Sequence, residues 1–478
     1  MERKQPSSEF LLWLGASIDR LQPRTGASMR TLALAVFGGV VADRTLESGT
    51  PGIGLTVFSI ALAVVVLVMA RGETAQARWF AAVAAVLSLS FLAFNSIWVV
   101  DLSAVGVVAS LLVAASLLRG GDILDLSWGD VTLRAATGCG HSLLVIPWLG
   151  KAGANIARGL GASRRRPVVR SVLLAVPLVT ILGLLLGAAD PLFASLFNVS
   201  VDASLVGFHT VLVSVGALTL ATLVRIAKAG EMPDKAPINP PHPGSTEGLV
   251  VLGSLTILFA HFAATQVAAA YSDYARSGYF QLIAVVIITT MALPLLRTMA
   301  LEEHRHSRWI RTLCAAVVLL TVGIGVVAMR RLWLYDDAYG LTMLRLGSTA
   351  AAAWFGVLLL LLGASVLGVA PKKSWFPGTA LISLLVFIAA FAVFNPEAYV
   401  ARYNVTHVQH VGLDTAYLSS LSADAVPDLA TAVSSLAPPD AAALRVALCE
   451  RGDSAGSWST WTLSRASAAA ALRKLCTG

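Results

Sequence analysis

The chain has 478 residues, 56% hydrophobic and only 13% charged, with a mean hydropathy of +0.76. Soluble domains carry about 25% charged residues, so this balance excludes an ordinary water-soluble globular protein. The net charge of +8 does not point to a nucleic-acid partner, because the basic residues lie in short loops between apolar runs, the pattern that sets membrane topology.

Residues 1–29 are polar and basic, with Arg3, Lys4, Arg20 and Arg24 around a short apolar patch at 10–14. They read as a cytoplasmic interfacial segment, and no small-residue cleavage site marks a signal peptide. Residues 30–394 read as a transmembrane helical domain. The first run starts near Thr31, and its uncharged part ends at Ala42. That is about 18 Å of helix against a ~30 Å hydrocarbon core, so Asp43 and Arg44 must be carried to the far interface. Runs at 52–70, 79–100 and 102–118 follow, with a tight turn expected around Asp101.

The stretch 135–149 is apolar but short and holds Gly138, Gly140, His141 and Pro147, and the basic segment 151–170 comes next. Further runs of span length lie at 171–189, 203–224, 248–270, 279–296, 312–329, 346–370 and 376–394. The segments 1–29, 71–78, 151–170, 225–235, 297–311 and Lys372–Lys373 are basic. All are cytoplasmic only if 135–149 does not cross, as a re-entrant or surface helix. The expected fold class is therefore all-α, a polytopic bundle of about eleven spans with the N-terminus inside and the C-terminus outside.

Residues 395–478 change character to short helical pieces and polar turns, an extracytoplasmic tail that leans on the membrane domain. Pro427, Pro438 and Pro439 suit first helical turns, and 441–450 and 463–476 have amphipathic spacing. Cys139 and Cys314 lie in apolar segments and are expected to pack. Cys449 and Cys476 each close a helix. In an antiparallel hairpin those ends are about 15–20 Å apart, beyond the ~7 Å limit of a disulfide, so the two are expected to be unbonded.

Seven stretches carry a family resemblance: GGVVADRTL at 38–46, AADPLF at 188–193, YARSGYFQL at 274–282, LYDDAYGLTMLR at 334–345, FNPEAYVARYN at 394–404, YLSSLSADAVPDL at 417–429 and SWSTWTLSRA at 457–466. Keeping this order, the chain resembles a bacterial membrane family of unknown function, the DUF4153/DUF4173 group. The resemblance implies a multi-pass protein of the bacterial inner membrane with a polar C-terminal tail. It implies no activity.

The candidate residues follow from the cost of polar groups in hydrocarbon. His261 lies mid-span in LFAHFAATQ with Gln266 near it, and His209 lies closer to an interface. Asp43 and Arg44, with Glu47, occupy the first outer connection. Membrane glycosyltransferases that use polyprenyl phosphates place an acid there on a long structured loop. This connection is short, which favours a salt-bridged span end. Arg330, Arg331, Asp336, Asp337 and Arg345 lie between two long apolar runs, with Trp333, Tyr335 and Tyr339 suited to the headgroup belt. They are expected to form one ion-pair cluster at the outer interface. His407, His410 and Asp414 have ligand-like spacing but make a weak zinc motif. No phosphate-loop, G-x-S-x-G, H-E-x-x-H or dinucleotide fingerprint occurs, so no catalytic residue, cofactor or metal is expected. The leading functional expectation is transport or permeation of a small solute or lipid. The alternatives are an envelope sensor or scaffold that binds a protein partner through its tail and, third, a glycosyltransferase-type enzyme.

Overall fold

The computed structural model describes residues 23, 26–48, 50–70, 75–126, 128–159, 203–229, 245–269, 279–300, 307–369, 375–407, 413–451 and 457–477. Among the described residues the elements are all helical. Helix α1 (Met29–Leu46) opens on a reciprocal cap, in which Thr31 N donates to Ser28 Oγ and Ser28 N donates to Thr31 Oγ1. Then come α2 (Ile53–Met69), α3 (Ala75–Ala93), α4 (Ile97–Leu117), a 3-10 turn at Ile123–Asp125, α5 (Trp128–Gly159) and α6 (Ala203–Ala227). Next are α7 (Ser245–Ala269), α8 (Tyr279–Ala300), α9 (Ser307–Tyr339), α10 (Met343–Leu367) and α11 (Trp375–Phe394). Among the described residues, six stretches are long and apolar enough to cross a membrane: Ala75–Ala93, Ile97–Leu117, Gly207–Ala227, Arg308–Leu334, Met343–Leu367 and Trp375–Phe394. Shorter apolar helices lie at Ile53–Met69 and Leu249–Thr265. The expected run at 171–189 lies outside the described residues.

These helices bury two cores. One joins α2, α3 and α4 to the end of α6 and to Leu385 and Ile388 of α11, and the other joins α7 to α10 with Phe376 of α11. Helix α11 thus contributes to both. Helices α1 and α6 cross closely because glycines face each other. A Cβ on Gly38 would lie 2.9 Å from the Gly216 carbonyl oxygen, so small residues set the distance, as in other membrane helix pairs.

The turn joining α3 to α4 is at 94–96, not around Asp101, which is exposed in the second turn of α4. Apolar residues flank both positions, so hydropathy alone does not separate them. Capping does. Asp424 accepts from Asn95 N at 2.9 Å and from Ser96 N at 2.7 Å, placing a carboxylate at the N-terminal end of α4, on the amides of its N-cap residue and the residue before it.

The tail comprises α12 (Pro396–Thr406), α13 (Thr415–Ser420), α14 (Val426–Ala432), α15 (Pro438–Glu450) and α16 (Leu463–Thr477). Pro396, Pro427 and Pro438 occupy first helical turns. The tail has its own apolar core, which takes in Leu341 and Met343 of the α9–α10 turn. It clamps three points of the membrane domain. Asp424 and Glu397 hold the α3–α4 turn, with Ser96 Oγ donating to Glu397 Oε1 at 2.8 Å. Asn404 exchanges hydrogen bonds with the backbone of Leu341, and Met343 N donates to Tyr417 Oη at 2.8 Å. Ile53 N, at the start of α2, donates to Trp461 O at 3.0 Å. These contacts define the tail face.

Cys449 and Cys476 are disulfide-bonded, with Cα atoms 5.9 Å apart. The expectation that they stay apart was wrong because α15 and α16 are not a tight hairpin. The chain between them first returns to the membrane domain, where Trp458–Thr460 packs on Gly52 and Gly54 at the start of α2. Helix α16 therefore sets out from that contact, and its end meets the end of α15.

Candidate functional site

On the face away from the tail, four connections converge. Gln76 Oε1 accepts from Ile123 N at 2.9 Å, tying the start of α3 to the 3-10 turn. Gly378, near the start of α11, packs against the Ile123 backbone. Helix α5 runs along this face. Its Arg134 donates to Ser116 O and Gly120 O, both at 2.9 Å, and so caps the end of α4. Two turns on, His141 meets Arg119 and Arg225 at the ends of α4 and α6. Two turns further, Trp148 packs with Ala35, Ala221 and Val224 and carries Lys228 Nζ 5.7 Å from its ring centre. Contacts to one end of the bundle at 134, 141 and 148 mean that this part of α5 lies across the helix ends. It is longer than the apolar stretch suggested, because the basic residues from Lys151 continue the helix to Gly159.

Between α4, α5, α10 and α11 lies a cavity of about 520 Å³, within the ~300–1,000 Å³ range of small-molecule sites. Its walls are apolar: Leu112 and Val113 from α4, Trp354 and Leu358 from α10, Leu381 and Leu384 from α11. Its end at the α5 face holds Arg119, Arg134 and His141. The indole of Trp354 is held by a bond of its Nε1 to Ser383 Oγ at 3.3 Å and by stacking on Phe387. Cys139 lines the cavity and is exposed, whereas Cys314 is buried, so only the second packs as expected.

Positive charge predominates at that end, with Asp130 acting on Arg134. Burial, then the charges of Arg225 and Arg119, push His141 down to about 3, so its imidazole is neutral. Burial, reinforced by Arg134, lowers Arg119 to about 10. Burial also lowers Arg134, against the pull of Asp130. Arg225 Nη1 lies 2.7 Å from His141 Nδ1, and Arg119 Nη1 lies 3.4 Å from Nε2. Guanidinium groups only donate, so Nδ1 is the acceptor toward Arg225 and the ring proton is on Nε2.

The residues singled out from the sequence lie elsewhere. His261 is exposed on α7 and does not line the cavity, and the Gln266 side chain is outside the described residues. Asp43 pairs with His209 at 2.5 Å across the α1–α6 crossing, with Glu47 4.0 Å from the same ring. Arg44 is exposed. In the RRLWLYDD segment, Asp336 Oδ1 lies 3.9 Å from Arg345 Nη1, and Arg345 also donates to the Gly340 carbonyl. Gly340 has φ +74°, a left-handed turn that favours glycine. Burial pushes the Asp336 carboxyl up to about 6, with Arg345 pulling the other way. Arg330 is exposed and Arg331 half-buried, and the Asp337 side chain is outside the described residues. His407 stacks on Tyr403, and Asp414 caps α13 by accepting from Tyr417 N, which gives both a structural role. His410 lies outside the described residues.

The cluster of Arg119, Arg134, His141 and Arg225 escaped the sequence reading because its members come from three separated segments. The available signal was two arginines, Arg119 and Arg225, directly at the ends of apolar runs.

A family model described as "Domain of unknown function (DUF4153)" matches residues 81–432. No curated protein and no solved structure matches the chain. The chain belongs to this family, and its apolar helices make it a membrane protein.

Proposed function

We propose that this chain, as a member of the DUF4153 family, binds a small amphiphile or lipid within its membrane domain and moves it or presents it there. The cavity between α4, α5, α10 and α11 carries this reading. It is apolar along the helices and polar at one end, the profile of a molecule with a hydrocarbon part and a head. Leu112 lines it and is 54% exposed on the bundle surface, which gives lateral access from lipid. In this reading the tail face is extracytoplasmic, because a disulfide in the tail belongs in an oxidising compartment. The α5 face is then cytoplasmic, in keeping with its arginines and lysines.

The test uses purified protein in neutral detergent and a fluorescent fatty-alcohol probe. Wild type should shift the probe emission to the blue, and Leu381→Trp, which fills the cavity, should abolish the shift. An equal shift from both proteins would remove the cavity from the account. Reconstitution with the probe in one leaflet then separates movement from retention.

A second reading, a scaffold that binds a partner through the tail, is favoured by the exposed Trp458, Trp461 and Leu463. Capture of a partner by the wild-type chain that is lost in Trp458→Ser would favour it.

A further inference from the structure

We infer that the tail is seated in the bilayer through its turn at 458–463. The indoles of Trp458 and Trp461 and the side chain of Leu463 lie among the headgroups and upper acyl chains of the leaflet on the tail face. The inference is independent of the cavity.

The turn has the reverse of a water-facing pattern. Ser459, Thr460 and Thr462 are buried, while Trp458, Trp461 and Leu463 are 58%, 47% and 57% exposed. The hydroxyls that would suit water are bonded inside. Ser459 Oγ donates to Ser48 Oγ at 3.2 Å, Thr460 Oγ1 donates to Ser457 O at 2.8 Å, and Thr462 Oγ1 accepts from Arg465 N at 3.2 Å. Two carbonyls of the turn are answered as well. Trp461 O accepts from Ile53 N at 3.0 Å, and Thr460 O accepts from Arg465 Nη1 at 2.8 Å. No residue from 457 to 464 is charged. A segment whose polar groups are bonded within the protein enters the edge of a bilayer at little cost. Tryptophan is enriched there, because its ring is apolar and its N–H still finds a polar partner.

The level of the turn favours lipid over a protein partner. Exposed tryptophans mark both faces of the bundle. Trp79 and Trp309 stand near the starts of α3 and α9 on the α5 face, and Trp98 and Trp333 stand near the start of α4 and toward the end of α9 on the tail face. On α9 the two are about 36 Å apart along the axis, the depth of a ~30 Å hydrocarbon core with part of each headgroup layer. The tail turn belongs to the second of these levels. Its Trp461 carbonyl is bonded to the first residue of α2, and Ser459 packs against Gly54. One turn further along α2, Val57 is exposed, so apolar surface leads from that helix toward the turn. Trp458 and Trp461 thus extend the aromatic girdle of the tail face.

The test uses the full chain and the native indoles. Wild type and Trp458→Phe/Trp461→Phe are reconstituted in vesicles of dioleoyl phosphatidylcholine and of a phosphatidylcholine brominated near the headgroup end of its chains, since bromine quenches indoles on contact. The difference in tryptophan emission between the two proteins is the emission of the two tail indoles. That difference should fall by about half or more in the brominated vesicles, as for other girdle tryptophans. A smaller fall, or none, would overturn the inference and leave the surface to water or to a protein partner. Trp458→Phe and Trp461→Phe made singly read one indole each, so the decision stands even if the double variant does not fold.

Discussion

Asp424 holds the N-cap residue of a helix from 328 residues away, accepting from Ser96 N at 2.7 Å while buried in the tail. The same turn is held a second time through Ser96 Oγ and Glu397, whose other oxygen accepts from Ser422 N at 2.5 Å. Two buried carboxylates are thus satisfied by backbone amides and a hydroxyl. Such an arrangement is costly to open, because any lost partner leaves a charge without its donors.

Asp424→Ala should lower stability in detergent by ~1–2 kcal/mol, the range for removal of a helix cap. Asp424→Asn keeps an acceptor but loses the charge opposite the helix dipole, and should cost about half as much. Thermal unfolding of both variants against wild type checks this. Equal melting temperatures in all three would mean that the tail does not hold the α3–α4 turn.

The Asp336 carboxyl gives stability a pH dependence of known sign. Its pKa rises from 3.8 to about 6 on folding, so between about pH 4 and 6 the folded protein binds more protons than the unfolded chain. Stability from this group is therefore highest below about pH 4, falls through that window and is level above it. Asp336→Asn should remove that fall and melt higher than wild type at pH 7. Parallel pH profiles for the two proteins would contradict the assignment.

Reducing Cys449–Cys476, or changing Cys449→Ser, releases a loop with a sequence separation of 27. In the chain-entropy account this is ~3 kcal/mol of stabilisation. The tail should become markedly more sensitive to protease while the membrane helices stay folded. Peptide maps with and without reductant test the bond itself, and a linked peptide absent from the non-reduced map would refute it.

Topology is testable independently of the cavity. Activity reporters fused after Lys228 and after Gly478 should report opposite sides of the membrane, because α6 ends at the face opposite the tail. Reports from the same side would break the two-face arrangement.

The apolar runs that became α2, α4, α9, α10 and α11 were legible in the sequence, because hydrophobicity over span length is a local property. The arginine–histidine cluster was not, since Arg119, Arg134 and Arg225 each read as the basic end of a separate run. His261 shows the opposite error. A histidine inside an apolar run invites a role in the bundle, yet rotation about the α7 axis sets its exposure, and composition does not report rotation. The short connection at 43–50 was read as a span end with a local pair. That local pair is present, with Arg44 Nε 4.0 Å from Asp43 Oδ2, and Asp43 also reaches His209 across the chain, a partner that the glycine-lined crossing of α1 and α6 supplies.

The distant capping of α4 also has a consequence in time. Ribosomes add about 5–20 residues per second, so roughly 15–65 s pass between synthesis of Ser96 and of Asp424. Throughout that interval the α3–α4 hairpin stands with the amides of its turn waiting for their acceptor. A nascent chain that stops before Asp424 leaves that turn without its carboxylate, an open end for a membrane protease to find.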